Sequence, residues 1–286
     1  MPNPDFDGNG WVDLSDFFLF SGAFGTRAGQ KGWDRRFDLS KNERIDLGDF
    51  YIFSAQFGTP TLYRDVEIRN QADLDALLEE LETINSIAGQ EAEQGQIPYS
   101  HKKKEFRIDG SLFIGDSLTT VSNIVSLARL EGLQGVAGQL VIQNTANLIG
   151  LEGLANLQVV GDKLVIGGNK ALASLEGLSR LRQVGGSLII GGDIGGNTRL
   201  QSLSGLRGLE EIGGMLAIDG NTSLASLAGL EGLIKINGQL ILKNNSTLLS
   251  LDGLENLTVV KGQLVVEEHA QLENLAGLAS TLTFLF

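Results

Sequence analysis

The chain contains no cysteine, which excludes disulfides, thiolate metal sites and a cysteine nucleophile together. Its two histidines leave little material for a histidine-based triad or a zinc centre. Basic residues are scarce: 22 Lys and Arg stand against 35 Asp and Glu, a formal net charge of −13. Nucleic-acid phosphates call for a basic footprint, so nucleic acid is not expected as a partner. No apolar run reaches the roughly 18 residues of a transmembrane helix, so no membrane span is expected. Aromatic residues make up 6% of the chain, and none falls between Phe113 and Phe284. With 42% apolar and 20% charged residues, the chain is nevertheless too apolar for disorder. What it has in excess is glycine, 38 residues among 286, nearly twice the usual share of about 7%. Turns must recur throughout.

The first sixty residues are written twice. Asp5-Phe6-Asp7-Gly8-Asn9-Gly10-Trp11-Val12-Asp13-Leu14-Ser15-Asp16 runs into Phe17-Phe18-Leu19-Phe20. Thirty-three residues on, Asp38-Leu39-Ser40-Lys41-Asn42-Glu43-Arg44-Ile45-Asp46-Leu47-Gly48-Asp49 runs into Phe50-Tyr51-Ile52-Phe53. Each unit is a twelve-residue loop feeding a short apolar helix, with oxygen-bearing side chains mostly at positions 1, 3, 5, 9 and 12. Calcium needs six to eight oxygens, and an EF-hand loop supplies them at this spacing, with a backbone carbonyl at position 7. The first set is Asp5, Asp7, Asn9, the carbonyl of Trp11, Asp13 and Asp16. The second is Asp38, Ser40, Asn42, the carbonyl of Arg44, Asp46 and Asp49. Two calcium ions are therefore expected. Glu43 replaces the turn glycine and Ser40 replaces a carboxylate, so the second site should be weaker. Val12 and Ile45 are expected to pair the loops as a short β-bridge.

This tandem pattern, over about residues 3–59, resembles the dockerin family, including its aspartate at the twelfth position (Asp16 and Asp49). The resemblance implies a small all-α calcium-binding module that docks onto a cohesin-type partner through helix-start residues. Those slots hold Leu14 and Ser15, then Leu47 and Gly48.

Past a junction at 58–61, Val66-Glu67-Ile68 reads as a strand. Asn70 is a candidate N-cap with Asp73 three places on, and Leu74, Leu77, Leu78, Leu81 and Ile84 follow helical spacing to about residue 86. Residues 88–105, with the run His101-Lys102-Lys103-Lys104, read as a solvated loop. Thereafter the chain repeats every 24 residues, with strand cores at Leu140-Val141-Ile142, Leu164-Val165-Ile166, Leu240-Ile241-Leu242 and Leu264-Val265-Val266. Copies starting at Leu112 and Leu188 carry four extra residues. One such repeat cannot bury its apolar side, but stacked copies can. Glycines such as Gly153, Gly177 and Gly205 mark one corner, where the coil should turn. Another corner carries Asn169, Asn197, Asn221 and Asn245, whose amides can form a ladder; Thr145 and His269 occupy the same slot in adjoining coils.

These repeats, over about residues 64–280, resemble the leucine-rich repeats of the receptor L-domain type. The fold expected is mainly β: a right-handed, parallel β-helix-like leucine-rich solenoid with an N-terminal capping helix, preceded by the dockerin-like domain. The divisions are 1–60 for the calcium domain, 61–110 for junction, strand, cap and loop, and 111–286 for the solenoid.

No G-x-S-x-G, Walker or HExxH motif occurs. Glu267-Glu268-His269 is the one tempting cluster, but adjacent strand residues point to opposite faces and no aromatic platform accompanies them. A non-catalytic role is expected: extracellular or cell-surface calcium-dependent recognition or adhesion, with a structural subunit of a calcium-stabilised fibre as the alternative. An accessory part in polysaccharide degradation is the third reading. The opening Met1-Pro2-Asn3-Pro4 has neither the charged nor the apolar region of a signal peptide. Two surfaces could take a protein partner or a second copy. One is the outward row Phe113, Val141, Val165, Ile189, Ile241 and Val265, which also includes Ala217. The other is the C-terminal coil, where residues 282–286 could fold back as a plug.

Overall fold

The computed structural model describes residues 3–8, 12, 14–54, 61–62, 64–93, 105–115, 122–278 and 283–284. Mainly β, it is a parallel solenoid in which each coil adds one strand to each of two sheets. An eight-stranded sheet runs from Val66–Ile68 through Leu112–Gly115, Leu140–Gln143, Leu164–Gly167, Leu188–Gly191, Leu216–Asp219 and Leu240–Lys243 to Leu264–Glu267. The other sheet has nine strands, most of them two residues long, from Thr61–Leu62 to Thr283–Phe284. Equivalent residues stay in register: Leu140 faces Leu164, and Leu188 faces Leu216. The surplus after Leu188 is absorbed by a 3₁₀ turn at Gly192–Ile194, flanked by Gly191 and Gly195 with φ of 91° and 105°. The surplus after Leu112 falls mostly in 116–121, outside the described residues.

Stacking explains the leucine spacing. Leu172, Leu175, Leu178, Leu181 and Val184 are all fully buried, as are their copies one coil before and after. Each such burial contributes about 1.5–3 kcal/mol. At this corner Gly229, Gly253 and Gly277 take φ of 114°, 112° and 101°, as a turn expects, while Gly153 and Gly177 have another reason. A Cβ on Gly177 would lie 1.7 Å from the Leu151 carbonyl oxygen, and one on Gly153 would lie 1.6 Å from that of Leu127. At these two positions φ is not in the left-handed region. Glycine is required there because successive coils touch backbone to backbone.

The asparagine ladder is present and fully buried. Asn197 donates from Nδ2 to the Ile166 carbonyl at 2.8 Å, and its Oδ1 accepts the Asn169 N–H at 3.1 Å. Asn169, Asn221 and Asn245 each donate in the same way to the preceding coil, at 2.8–2.9 Å. The side chain thus takes over the ladder where the strand turns away. His269 continues the row, with Nδ1 3.2 Å from the Asn245 carbonyl. That contact requires Nδ1 to carry the proton.

Helix α3 (Gln71–Glu93) covers the N-terminal end of the core with Leu74, Leu77 and Leu81. Asn70 caps it, its Oδ1 accepting the N–H groups of Ala72 and Asp73 at 2.8 and 3.1 Å. The helix runs seven residues past the expected end at 86. Gln90, Glu91, Ala92 and Glu93 are good helix formers, so propensity carries it on without an apolar period. The basic run 101–104 lies outside the described residues.

The outward row is only partly open to solvent. Val141, Val165 and Ala217 are only 7, 9 and 8% exposed, and Phe113, Ile189, Ile241 and Val265 are half-buried. Val141 sits in register on Val165 and Ile189 on Ala217, so branched side chains one strand spacing apart cover one another. Among the described residues no helix is long and apolar enough to cross a membrane.

Ahead of the solenoid, helices α1 (Leu14–Ser21) and α2 (Leu47–Ser54) share an aromatic core separate from the leucine core. Phe20 and Phe53, equivalent residues of the two units, stack with ring centroids 5.5 Å apart. Phe6 lies against both, and meets Phe37 edge-on at 4.6 Å. Ile45 does not pair with Val12. Its N–H bonds the Thr26 carbonyl and its carbonyl takes the Gly25 N–H, at 2.9 and 2.7 Å. Val12 instead packs with Leu39 and Phe53.

Candidate metal centre

Both loops use the same backbone device at the start of a helix. The position-12 carboxylate opens the first turn of each helix, Asp16 on α1 and Asp49 on α2. A helix N-terminus favours negative charge there. Both aspartates are fully buried. Asp16 Oδ1 accepts the N–H groups of Phe6 and Asp7 at 2.5 and 3.1 Å. Asp49 accepts those of Ser40 and Asp46 at 2.8 and 2.7 Å. These bonds offset part of the cost of burying a carboxylate. Position 4 is left-handed in each loop, with φ of 77° at Gly8 and 60° at Lys41. Among the described residues the two loops therefore share the left-handed position 4 and the buried position-12 acceptor.

The loops differ in where their oxygens go. Asp5, Asp7 and Asp16 each offer a carboxylate oxygen, all within 4.8 Å of one another. Oxygens bound to one calcium at 2.3–2.6 Å lie no more than about 5 Å apart, so this set fits a hard cation by both distance and donor type. Asp5 is 5% exposed while Asp7 faces solvent, which leaves the cluster an open side. Asn9, Trp11 and Asp13 lie outside the described residues.

In the second loop Asp38, Asp46 and Asp49 do not converge in this way. Asp38 accepts the N–H groups of Asn42 and Glu43, and Asp46 accepts that of Gly48. Asn42 turns its own oxygen to the Arg44 N–H at 2.9 Å. Ser40, Asn42 and Arg44 are exposed. Glu43 sits at a φ of 63°, in the region the absent glycine would enter freely; a side chain there costs about 1 kcal/mol.

Sequence reasoning missed the surroundings of the loops. A cleft of about 630 Å³ separates them, lined by Asp5, Trp33, Arg35, Arg36, Asp38 and Lys41 among others. Hydrogen bonds from Arg36 hold Asp34 below the usual carboxylate range. Phe18 and Tyr51, at equivalent places on α1 and α2, are 68 and 66% exposed, and Leu47 is 59% exposed. An apolar position that faces solvent looks the same in a helical sequence as one that packs. At the far end of the chain, Glu267 pairs with Lys243 at 2.8 Å and His269 belongs to the ladder, so the structure does not direct these two side chains to a common reacting point.

With this geometry in hand, comparison of the chain with protein-family models, with curated proteins and with solved structures finds no match in any of the three.

Proposed function

We propose that this chain is a non-catalytic, calcium-binding recognition protein of the cell exterior. A dockerin-like loop–helix pair holds the ion and docks, and a leucine-rich solenoid serves as a protein-binding scaffold. The observation that carries the reading is the convergence of Asp5, Asp7 and Asp16 oxygens within 4.8 Å at the start of α1. Millimolar extracellular calcium suits an open site of this kind. Docking draws support from the exposed Phe18 and Tyr51, which the duplication places at matching points on the two helices. A cohesin-type partner is the occupant that the resemblance implies. The second loop binds more weakly, because Asp38, Asp46 and Asp49 do not converge as Asp5, Asp7 and Asp16 do. Isothermal titration with calcium tests the reading. Saturable uptake whose tighter phase disappears in Asp16→Ala is expected, and no heat from the wild-type protein would contradict it. A second reading, a subunit of a calcium-stabilised fibre, draws on the half-exposed leucines of the last coil; electron microscopy with calcium separates filaments from single particles. An accessory role in polysaccharide degradation has no geometric support of its own.

A further inference from the structure

Helix α3 does not close completely on the coil beside it. Between the helix and the 3₁₀ turn at Ala128–Leu130 lies a cavity of about 220 Å³. Its floor is apolar: Leu78, half-buried, stands beside the buried Leu81 and Phe106. Its rim carries three exposed charged side chains, Glu82 from the helix and Arg129 and Glu131 from the coil.

Both walls are held in place. Arg129 reaches across to Asp75 of α3 at 2.6 Å. The Glu131 carbonyl accepts Asn156 Nδ2 at 2.6 Å, and the Gly132 carbonyl accepts the Phe106 N–H at 2.9 Å. The first of these bonds engages the one cation of the rim. Glu82 and Glu131 make no ion pair among the described residues. Two unpaired carboxylates over an apolar floor match one chemistry, an alkyl chain that ends in a positive charge. The volume lies below the roughly 300–1,000 Å³ of pockets that enclose whole small molecules, and suits one long side chain. An ammonium, with three donors on a flexible stem, can reach carboxylates on two different elements, whereas a guanidinium fork matches a single carboxylate. The net charge of −13 draws a basic partner toward the chain.

We infer that this cavity seats a lysine side chain of a basic partner protein. Its methylenes lie on Leu78, Leu81 and Phe106, and its ammonium bonds Glu82 and Glu131. The inference goes beyond the calcium reading and does not rest on it, and calcium is present throughout its test.

The probe is N-acetyl-lysine N-methylamide, titrated into the full isotope-labelled chain and followed by amide NMR. Saturable shifts confined to the amides of residues 78–82, 106 and 128–132 are expected, with a dissociation constant of about 1 mM for a single side chain. The norleucine analogue keeps the alkyl chain without the charge and should bind about tenfold more weakly. Glu131→Gln should weaken the lysine probe by about the same factor. Adding Glu82→Gln should abolish binding; both side chains are exposed, and unchanged amide signals away from the cavity check the fold. No shifts, shifts scattered over the acidic surface, or equal binding of lysine and norleucine overturn the inference. So does an arginine probe that binds as tightly as lysine, or a free diamine such as putrescine that binds about tenfold more tightly. Tighter probe binding after Lys102→Ser, Lys103→Ser and Lys104→Ser together also overturns it, because the occupant would then be the chain's own lysine.

Discussion

The two cores of this protein are held by opposite means. In the solenoid, coils complete one another: leucines cover leucines, and four successive coils supply an asparagine amide to a turning backbone group. The N-terminal unit buries a handful of phenylalanines around two fully buried aspartates. Its first loop gathers three carboxylates within 4.8 Å, and such a cluster repels itself unless a cation joins it. Repetition many times over lets coils complete one another; repetition only twice, on the proposed calcium reading, leaves a core that depends on an ion.

Several changes should break or sharpen this contrast. The largest effect is expected from Gly177→Ala, where the new Cβ would enter the Leu151 carbonyl. The backbones of two coils must separate, at a cost of about 4 kcal/mol or more, read by thermal melting. Calcium should make no difference to that loss. Next comes Asn197→Leu, which strips partners from the Asn169 N–H and the Ile166 carbonyl. One buried orphan, the Asn169 N–H, and the lost side-chain bond to the Ile166 carbonyl should together cost about 2–3 kcal/mol in urea unfolding, with the slope unchanged.

Asp16→Ala should behave in the opposite way. Its loss of about 2–3 kcal/mol, the linkage free energy of a site held near a hundredfold above its dissociation constant, should appear with calcium and shrink in chelator. Asp5→Ala should weaken calcium binding in titration more than Asp38→Ala, because only Asp5 belongs to the convergent set. The smallest effect concerns the solenoid surface. Hydrogen bonds from Lys235 and Asn237 hold Glu211 below the usual glutamate range. A carboxylate whose folded pKa is lowered contributes above its unfolded value and loses that contribution as pH falls through the folded one. Solvent screens the half-exposed pair, so Glu211→Gln should cost at most about 0.5 kcal/mol at pH 7. Once pH falls below the folded pKa the difference should vanish.

The long sheet was legible because its three-residue apolar cores recur at a fixed interval, and register follows from the interval alone. The nine-stranded sheet was not. Strands such as Val159–Val160 and Gln183–Val184 are two residues long, too short to show alternation, and sit at the end of a pattern that leucines dominate. Thr61–Leu62 was hidden in what reads as a junction for the same reason. The asparagine ladder could be foreseen from spacing, but the coil-to-coil contact behind the corner glycines could not. A glycine needed for close approach and one needed for a turn are the same letter. In the metal centre the twelve-residue spacing was visible from the start. What spacing does not carry is which carboxylates also aim at a common point: Asp5 and Asp38 both bond their own loops, and Asp5 joins a convergent set.

Differential scanning calorimetry of the whole chain, run once with millimolar calcium and once with EDTA, tests the contrast most directly. Two transitions are expected, with the one belonging to the N-terminal unit falling by many degrees in EDTA and the one belonging to the solenoid staying in place. Two unmoved transitions, or a solenoid transition that falls with the other, would contradict it.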